Sequence, residues 1–151
     1  MVTRNNFENV QGWGGVNEVG VTTEKAHSGK SCIWVNPQVQ YSYTYSRVLS
    51  QMTNSKPKKL TVEGWAWVPE KGSSASIILE IKHSPYNNSM VYYDGMDLTS
   101  TVGGFKSWKK VKKTFTLPDS VASGNAVKVY MFGGNSKAPV YFDDLAISLD
   151  N

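Results

Sequence analysis

Leu60 to Val68 alternates without a break. Leu60, Val62, Gly64, Ala66 and Val68 fall on one side, Thr61, Glu63, Trp65 and Trp67 on the other. Successive side chains of an extended chain point to opposite faces, so this period of two marks a strand with one face turned to a core. The period recurs in Ile77, Leu79 and Ile81, in Val111, Phe115 and Leu117, and in Val127, Val129 and Met131, which alternate with Lys128, Tyr130 and Phe132. No stretch carries the period of an amphipathic helix. Turn clusters such as Lys56-Pro57-Lys58-Lys59, Pro69 to Ser74, Tyr86 to Ser89, Asp94-Gly95, Gly103-Gly104 and Pro118 to Gly124 interrupt the chain. Their spacing, roughly every ten to fifteen residues, is that of a sandwich or barrel. The expected fold is all-β, an antiparallel two-sheet β-sandwich of jelly-roll type with about eight or nine strands and no significant helix. Residues 1–151 form one domain in this reading, a length that buries a core without staples.

The closing stretch, Val140 to Leu149, raises a chemical question. Tyr141, Leu145, Ile147 and Leu149 would share a face, and Asp143 falls on it with them. A carboxylate turned to a core loses its charge, finds a cationic partner or holds a metal. A solvated strand end carrying two Asp is the simpler alternative, and the strand alone does not choose. Other strand candidates are Val16 to Thr22, Cys32 to Val35, and Tyr41, Tyr43 and Tyr45 alternating with Ser42, Thr44 and Ser46.

Composition narrows the function classes. The net charge is +4, but Lys106, Lys109, Lys110, Lys112 and Lys113 alternate across a strand instead of forming a stripe, so nucleic acid is not an expected partner. No apolar run reaches the length of a membrane span, and membrane insertion is not expected. Cys32 is the single cysteine and reads as a small buried hydrophobe. The first residues, MVTRNNFENV, lack the apolar core of a signal peptide. The all-β character nevertheless favours a module excised from a longer secreted or cell-surface chain.

Catalytic signatures are missing. Gly29-Lys30-Ser31 resembles the end of a phosphate loop, but position 24 is Glu where that loop needs Gly. Gly134-Asn135-Ser136-Lys137-Ala138 lacks the second glycine of a nucleophile elbow. No HExxH or CxxC supports zinc. Glu63 and Glu80 are too ordinary a pair to argue glycosidase chemistry, and His27 and His83 read as loop or surface residues. Asn87-Asn88-Ser89 matches a glycosylation acceptor, a pattern common by chance.

Several pieces in order carry a resemblance. They are Phe7-Glu8, Gly12-Trp13, Ala26 to Ser31, Val62 to Trp67, Trp108 with Phe115-Thr116-Leu117-Pro118, and Val129-Tyr130 ahead of Tyr141-Phe142-Asp143-Asp144-Leu145. Over nearly its whole length the chain resembles the jelly-roll carbohydrate-binding modules of cellulases and xylanases, within the galactose-binding-like fold. The resemblance implies a non-catalytic, monomeric module of a larger chain that binds a polysaccharide or oligosaccharide. It also implies a structural calcium (Ca2+) held by Glu8, by oxygen from Ser28 or Lys30, and by Asp143, a hard oxygen-only site.

Aromatic rings supply flat apolar platforms for the C–H faces of sugars. The expected carbohydrate contacts are Tyr41, Tyr43, Tyr45, Trp67, Trp34 and Tyr130, with Phe132 beside Tyr130; periodicity leaves open the alternative that the tyrosines face the core and the Ser/Thr face is solvent. Trp65 occupies a position that is often buried in the family. The rival expectation is a jelly-roll spacer or adhesion domain of a surface protein that binds no sugar. A solvent-facing row of rings on one sheet separates the two.

Overall fold

The computed structural model describes residues 2–8, 20–134 and 136–151. Among the described residues, ten strands fall in two antiparallel sheets. They are β1 (Thr3–Asn5), β2 (Val21–Thr22), β3 (Cys32–Val35), β4 (Tyr45–Val48), β5 (Lys59–Trp67), β6 (Ser76–Ser84), β7 (Asn87–Asp97), β8 (Trp108–Thr116), β9 (Ala126–Phe132) and β10 (Val140–Asp150). The six-stranded sheet runs β2-β3-β10-β5-β8 with β1 also against β10, and the four-stranded sheet runs β4-β9-β6-β7. The helical turns among the described residues include a 3-10 turn at Leu49–Gln51 and α1 (Leu98–Thr101), capped by the Asp97 carboxylate. The all-β sandwich expected from the alternation is the fold observed.

The inner faces meet in one core. Leu60, Val62 and Ala66 of β5, Ile33 and Val35 of β3, and Phe142 and Ile147 of β10 pack with Ile77, Leu79 and Ile81 of β6 and Val127, Val129 and Met131 of β9. Burying such side chains is the main favourable term in a sandwich, with each contributing roughly 1.5–3 kcal/mol. Gly64 is required where β5 passes β10, because a Cβ there would lie 2.4 Å from the Phe142 ring.

Three local expectations are corrected. A β-bulge separates Asp143 from Ala146, where Asp144 takes φ 52°. The extra residue shifts the alternation, so Leu145 and Ile147 face the core while Tyr141 and Asp143 sit opposite Trp67 and Trp65 on the outer side. Asp143 is buried all the same, beneath the loop 24–31 and outside the core between the sheets.

The Tyr stripe does not survive as one face. Tyr41 bridges Phe132 and Tyr45 pairs with Val129, so four steps along one strand oppose three along the other. Ser42 absorbs the irregularity: its hydroxyl accepts the Met131 N–H (2.9 Å) and its own N–H donates to Met131 O (3.1 Å). Tyr43 and Tyr45 consequently enter the core, at 4% and 3% exposure, whereas Tyr41 points out at 52%.

Asp94-Gly95 is not a turn. It lies inside β7, paired with Leu79 and Ile78, and the chain reverses at Pro85-Tyr86. Of the strand expected over Val16 to Thr22, Val21–Thr22 is observed; Val16 to Val19 and the Gly12 to Gly15 stretch lie outside the described residues.

Gly64→Ala tests the packing. The backbone oxygen of Asp143 lies 2.9 Å from the added methyl and cannot swing away as a flexible side chain would. The substitution should lower unfolding free energy by about 1–3 kcal/mol, measured as a fall in the urea midpoint.

Candidate functional site

The outer face of the four-stranded sheet is built by alternation. Each inward residue of β6 and β9 leaves its neighbour facing out, which places Ile78, Glu80 and Lys82 beside Lys128, Tyr130 and Phe132. Register then sets rows across the strands. Tyr93, Glu80, Lys128 and Ser46 form one row, and Phe132 with Tyr41 ends another. Tyr41 and Tyr93 stand towards opposite edges, 52% and 53% exposed, with the less exposed groups between them.

Those inner groups are locked together. The Tyr130 hydroxyl donates to Glu80 Oε2 (2.7 Å), and Lys82 Nζ lies 2.8 Å from Glu80 Oε1. Burial alone would raise the Glu80 pKa, but the bonds from Lys82 and Tyr130 and the charges of Lys82 and Lys128 outweigh it and hold the carboxyl below its ordinary value. Burial and the Glu80 carboxylate push the Tyr130 phenol up. Glu80 is therefore an ionised acceptor in a fixed position. The Tyr41 ring lies 5.0 Å from Phe132 and 6.0 Å from Tyr130, which extends an apolar platform to the sheet edge.

The outer face of the six-stranded sheet also carries rings. Register aligns Trp34, Tyr141, Trp67 and Trp108 across β3, β10, β5 and β8. A loop covers part of this row. Lys25 Nζ sits 4.1 Å from the Trp67 ring centre, and His27 stacks on Trp65 at 4.1 Å while meeting Trp108 edge-on at 5.7 Å. Tyr141 is 5% exposed, and burial, with Glu24 beside its hydroxyl, pushes its pKa up to about 12.

The same loop is gripped by both chain ends. Asp143 Oδ2 accepts the N–H groups of His27 (2.8 Å) and Ser28 (3.0 Å), and Oδ1 accepts the Asp144 N–H (2.8 Å). Glu8 accepts the N–H groups of Lys30 (2.8 Å) and Ser31 (2.6 Å). Gly29, at φ +61°, lets the loop pass 2.6 Å from the Glu8 carboxyl carbon, measured from where a Cβ would stand. Burial raises the Asp143 pKa to about 6 despite the three amides. The expected calcium residues Glu8, Ser28, Lys30 and Asp143 thus lie along one loop. Among the described residues, no group of three or more His, Cys, Asp or Glu side chains is placed to hold a metal. The two carboxylates could serve only a hard cation that takes its remaining oxygens from elsewhere, as calcium does.

The six expected sugar contacts separate into three places. Tyr41 and Tyr130 share the outer face of the four-stranded sheet, Trp34 and Trp67 lie on the opposite outer face, and Tyr43 and Tyr45 are core residues with no surface to offer. Tyr93 went unrecognised because Asp94-Gly95 reads as a turn next to it.

A family model for a carbohydrate binding domain matches residues 1–139. The chain belongs to that family. No match exists among curated proteins. Solved structures similar to this carbohydrate-binding domain include the CBM22-2 xylan-binding domain of Paenibacillus barcinonensis Xyn10C. It is 16% identical with a TM-score of 0.64, covering 99% of each chain. The CBM22-1 xylan-binding domain of the same enzyme is 18% identical, TM-score 0.58, covering 98% of this chain and 93% of its own. The C-terminal family 22 module of Clostridium thermocellum Xyn10B is 12% identical, TM-score 0.61, covering 99% and 92%. At these identities the likeness is one of fold.

Glu80 gives this carbohydrate-binding domain a pH signature. Its folded pKa lies below the ordinary value of 4.5, so its contribution to stability is complete above that value and is lost as pH falls through the lowered one. Urea midpoints from about pH 3 to about pH 7 should show this acid limb in the parent and a shallower one in Glu80→Gln.

Proposed function

We propose that this domain is a non-catalytic module that holds a polysaccharide chain across the outer face of its four-stranded sheet. One observation carries the reading. Two half-exposed rings, Tyr41 and Tyr93, stand on either side of the locked Tyr130–Glu80–Lys82 set. The rings supply stacking surfaces for successive sugars, while ionised Glu80 accepts from hydroxyls and Lys82 and Lys128 donate to them. Covered rings on the other sheet are poorer platforms, since Lys25 and His27 already occupy them. Two of the similar structures are named as xylan-binding, so xylan leads the panel of polymers. A module of this kind belongs to a larger secreted or cell-surface protein.

Affinity electrophoresis against soluble xylans, glucans and mannans tests the proposal. Retardation is expected with at least one polymer, and Tyr41→Ala and Tyr93→Ala should each weaken it about tenfold. Free migration in every gel, with calcium present, would eliminate polysaccharide binding for those polymers and leave the spacer or adhesion role.

A structural calcium belongs to the same proposal. Support comes from Glu8 and Asp143, carboxylates from opposite ends of the chain, converging on residues 27–31. An ion bound only by the folded state would raise its stability. Chelation should therefore lower the melting temperature, and Asp143→Ala should abolish that sensitivity. An unchanged melt in chelator argues for amide donors alone.

A further inference from the structure

A depression of about 270 Å³ opens on the outer face of the six-stranded sheet. It lies on the far side of the sandwich from Tyr41 and Tyr93. Its lining is Arg4, Glu63, Trp65, Lys110, Asp144 and Ala146, with the Gly64 backbone. The sequence makes the hollow. Ala146 sits between Arg4 of β1 and Glu63 of β5, and its small side chain leaves the two long ones standing as walls.

Two lining groups are held in advance. Asp144 is turned to the rim by the bulge, and its carboxylate is fixed by His27 Nδ1 (2.7 Å) and the Ser28 hydroxyl (2.6 Å). Trp65 is fixed by the stacked His27 ring. The remaining charged groups are uncommitted: among the described residues, Arg4, Glu63 and Lys110 make no ion pair and no side-chain hydrogen bond. Side chains of both signs line one hollow and, among the described residues, form no ion pair with one another.

We propose that this depression is a second saccharide site, taking a single neutral pyranose unit. An anion would meet Glu63 and Asp144, and a cation would meet Arg4 and Lys110. A polyhydroxylated neutral ring satisfies both sets, because each hydroxyl donates to a carboxylate while accepting from a cationic N–H. One face of Trp65 is taken by His27, and the part of the indole that lines the hollow is the apolar surface left for the C–H side of the ring. The volume lies just under the usual range for small-molecule pockets, about 300–1,000 Å³, room for about one sugar residue within the hollow itself. The module then carries sites on opposite faces, an arrangement that lets it bridge two polysaccharide chains or hold a branch of one.

The test is a 15N-resolved NMR titration with methyl β-D-xylopyranoside and with methyl β-D-glucopyranoside. Saturable shifts are expected at the Trp65 indole N–H and the Ala146 and Lys110 amides. They should persist in a Tyr41→Ala/Tyr93→Ala variant, which separates this site from the polysaccharide face. Arg4→Ala with Glu63→Ala should raise the dissociation constant at least about tenfold. Both side chains are on the surface without partners, and a retained wild-type spectrum confirms the variant's fold; Glu63→Gln alone serves if it is not retained. Absence of a saturable shift at Trp65 and Ala146 with both glycosides overturns the proposal. Shifts that are unchanged in the Arg4/Glu63 variant, or that disappear with Tyr41 and Tyr93, overturn it too.

Discussion

The bulge at Asp143 and Asp144 is the constraint on which the arrangement depends. β10 lies inside the six-stranded sheet, with β5 along one side and two short strands along the other. β3 covers residues 140–142 and β1 covers residues 145–147, so the neighbour changes across the bulge. A break of this kind leaves backbone groups without a ladder. The loop 24–31 enters there, and the Asp143 carboxylate takes two of its amides. A buried carboxylate with three N–H donors remains costly to charge, which is why its pKa stays raised. Glu8, towards the other end of the chain, takes the amides of Lys30 and Ser31. The loop is thus fastened at both ends by charge-assisted bonds, each stronger than a neutral one.

That fastening decides the difference between the two outer faces. Both carry aromatic rings, in one row across four strands on the six-stranded sheet and staggered between rows on the four-stranded one. On the six-stranded sheet the fastened loop lays Lys25 and His27 over Trp67 and Trp65. On the four-stranded sheet, Tyr41 and Tyr93 stay open around a buried ionic set. Lys82 and Tyr130 hold the Glu80 carboxylate still, so in the proposed function a sugar hydroxyl would meet an acceptor whose ordering cost has already been met. The hollow at Ala146 is a by-product of the same bulge, which turns Asp144 to its rim.

Much of this was legible in the chain. Alternation over Leu60 to Val68 and its counterparts in β6, β8 and β9 placed the core, because burial on one face leaves a period that needs no partner to be seen. Tyr130 and Phe132 were marked as a set and do share a face. Other features were hidden for physical reasons. A bulge adds one residue without a residue type that announces it, so unbroken alternation puts Asp143 on the same side as Leu145 and Ile147, and alternation alone leaves open whether the Tyr stripe faces in or out. Asp94-Gly95 has the chemistry of a turn, yet pairing with β6 keeps it extended.

The sequence by itself determined the class of structure: strands of period two, turns that break them, and an apolar face on each strand large enough to close a sandwich. Its ordered motifs also pointed to the family, because local signals survive without knowledge of the partner strand. Only the tertiary structure decided which rings stand in water. Exposure depends on what packs above a residue, and here that is a loop more than a hundred positions away from Asp143, the residue that holds it. Long-range pairing, and the single extra residue in β10, are properties of the assembled sheet and cannot be read from one strand.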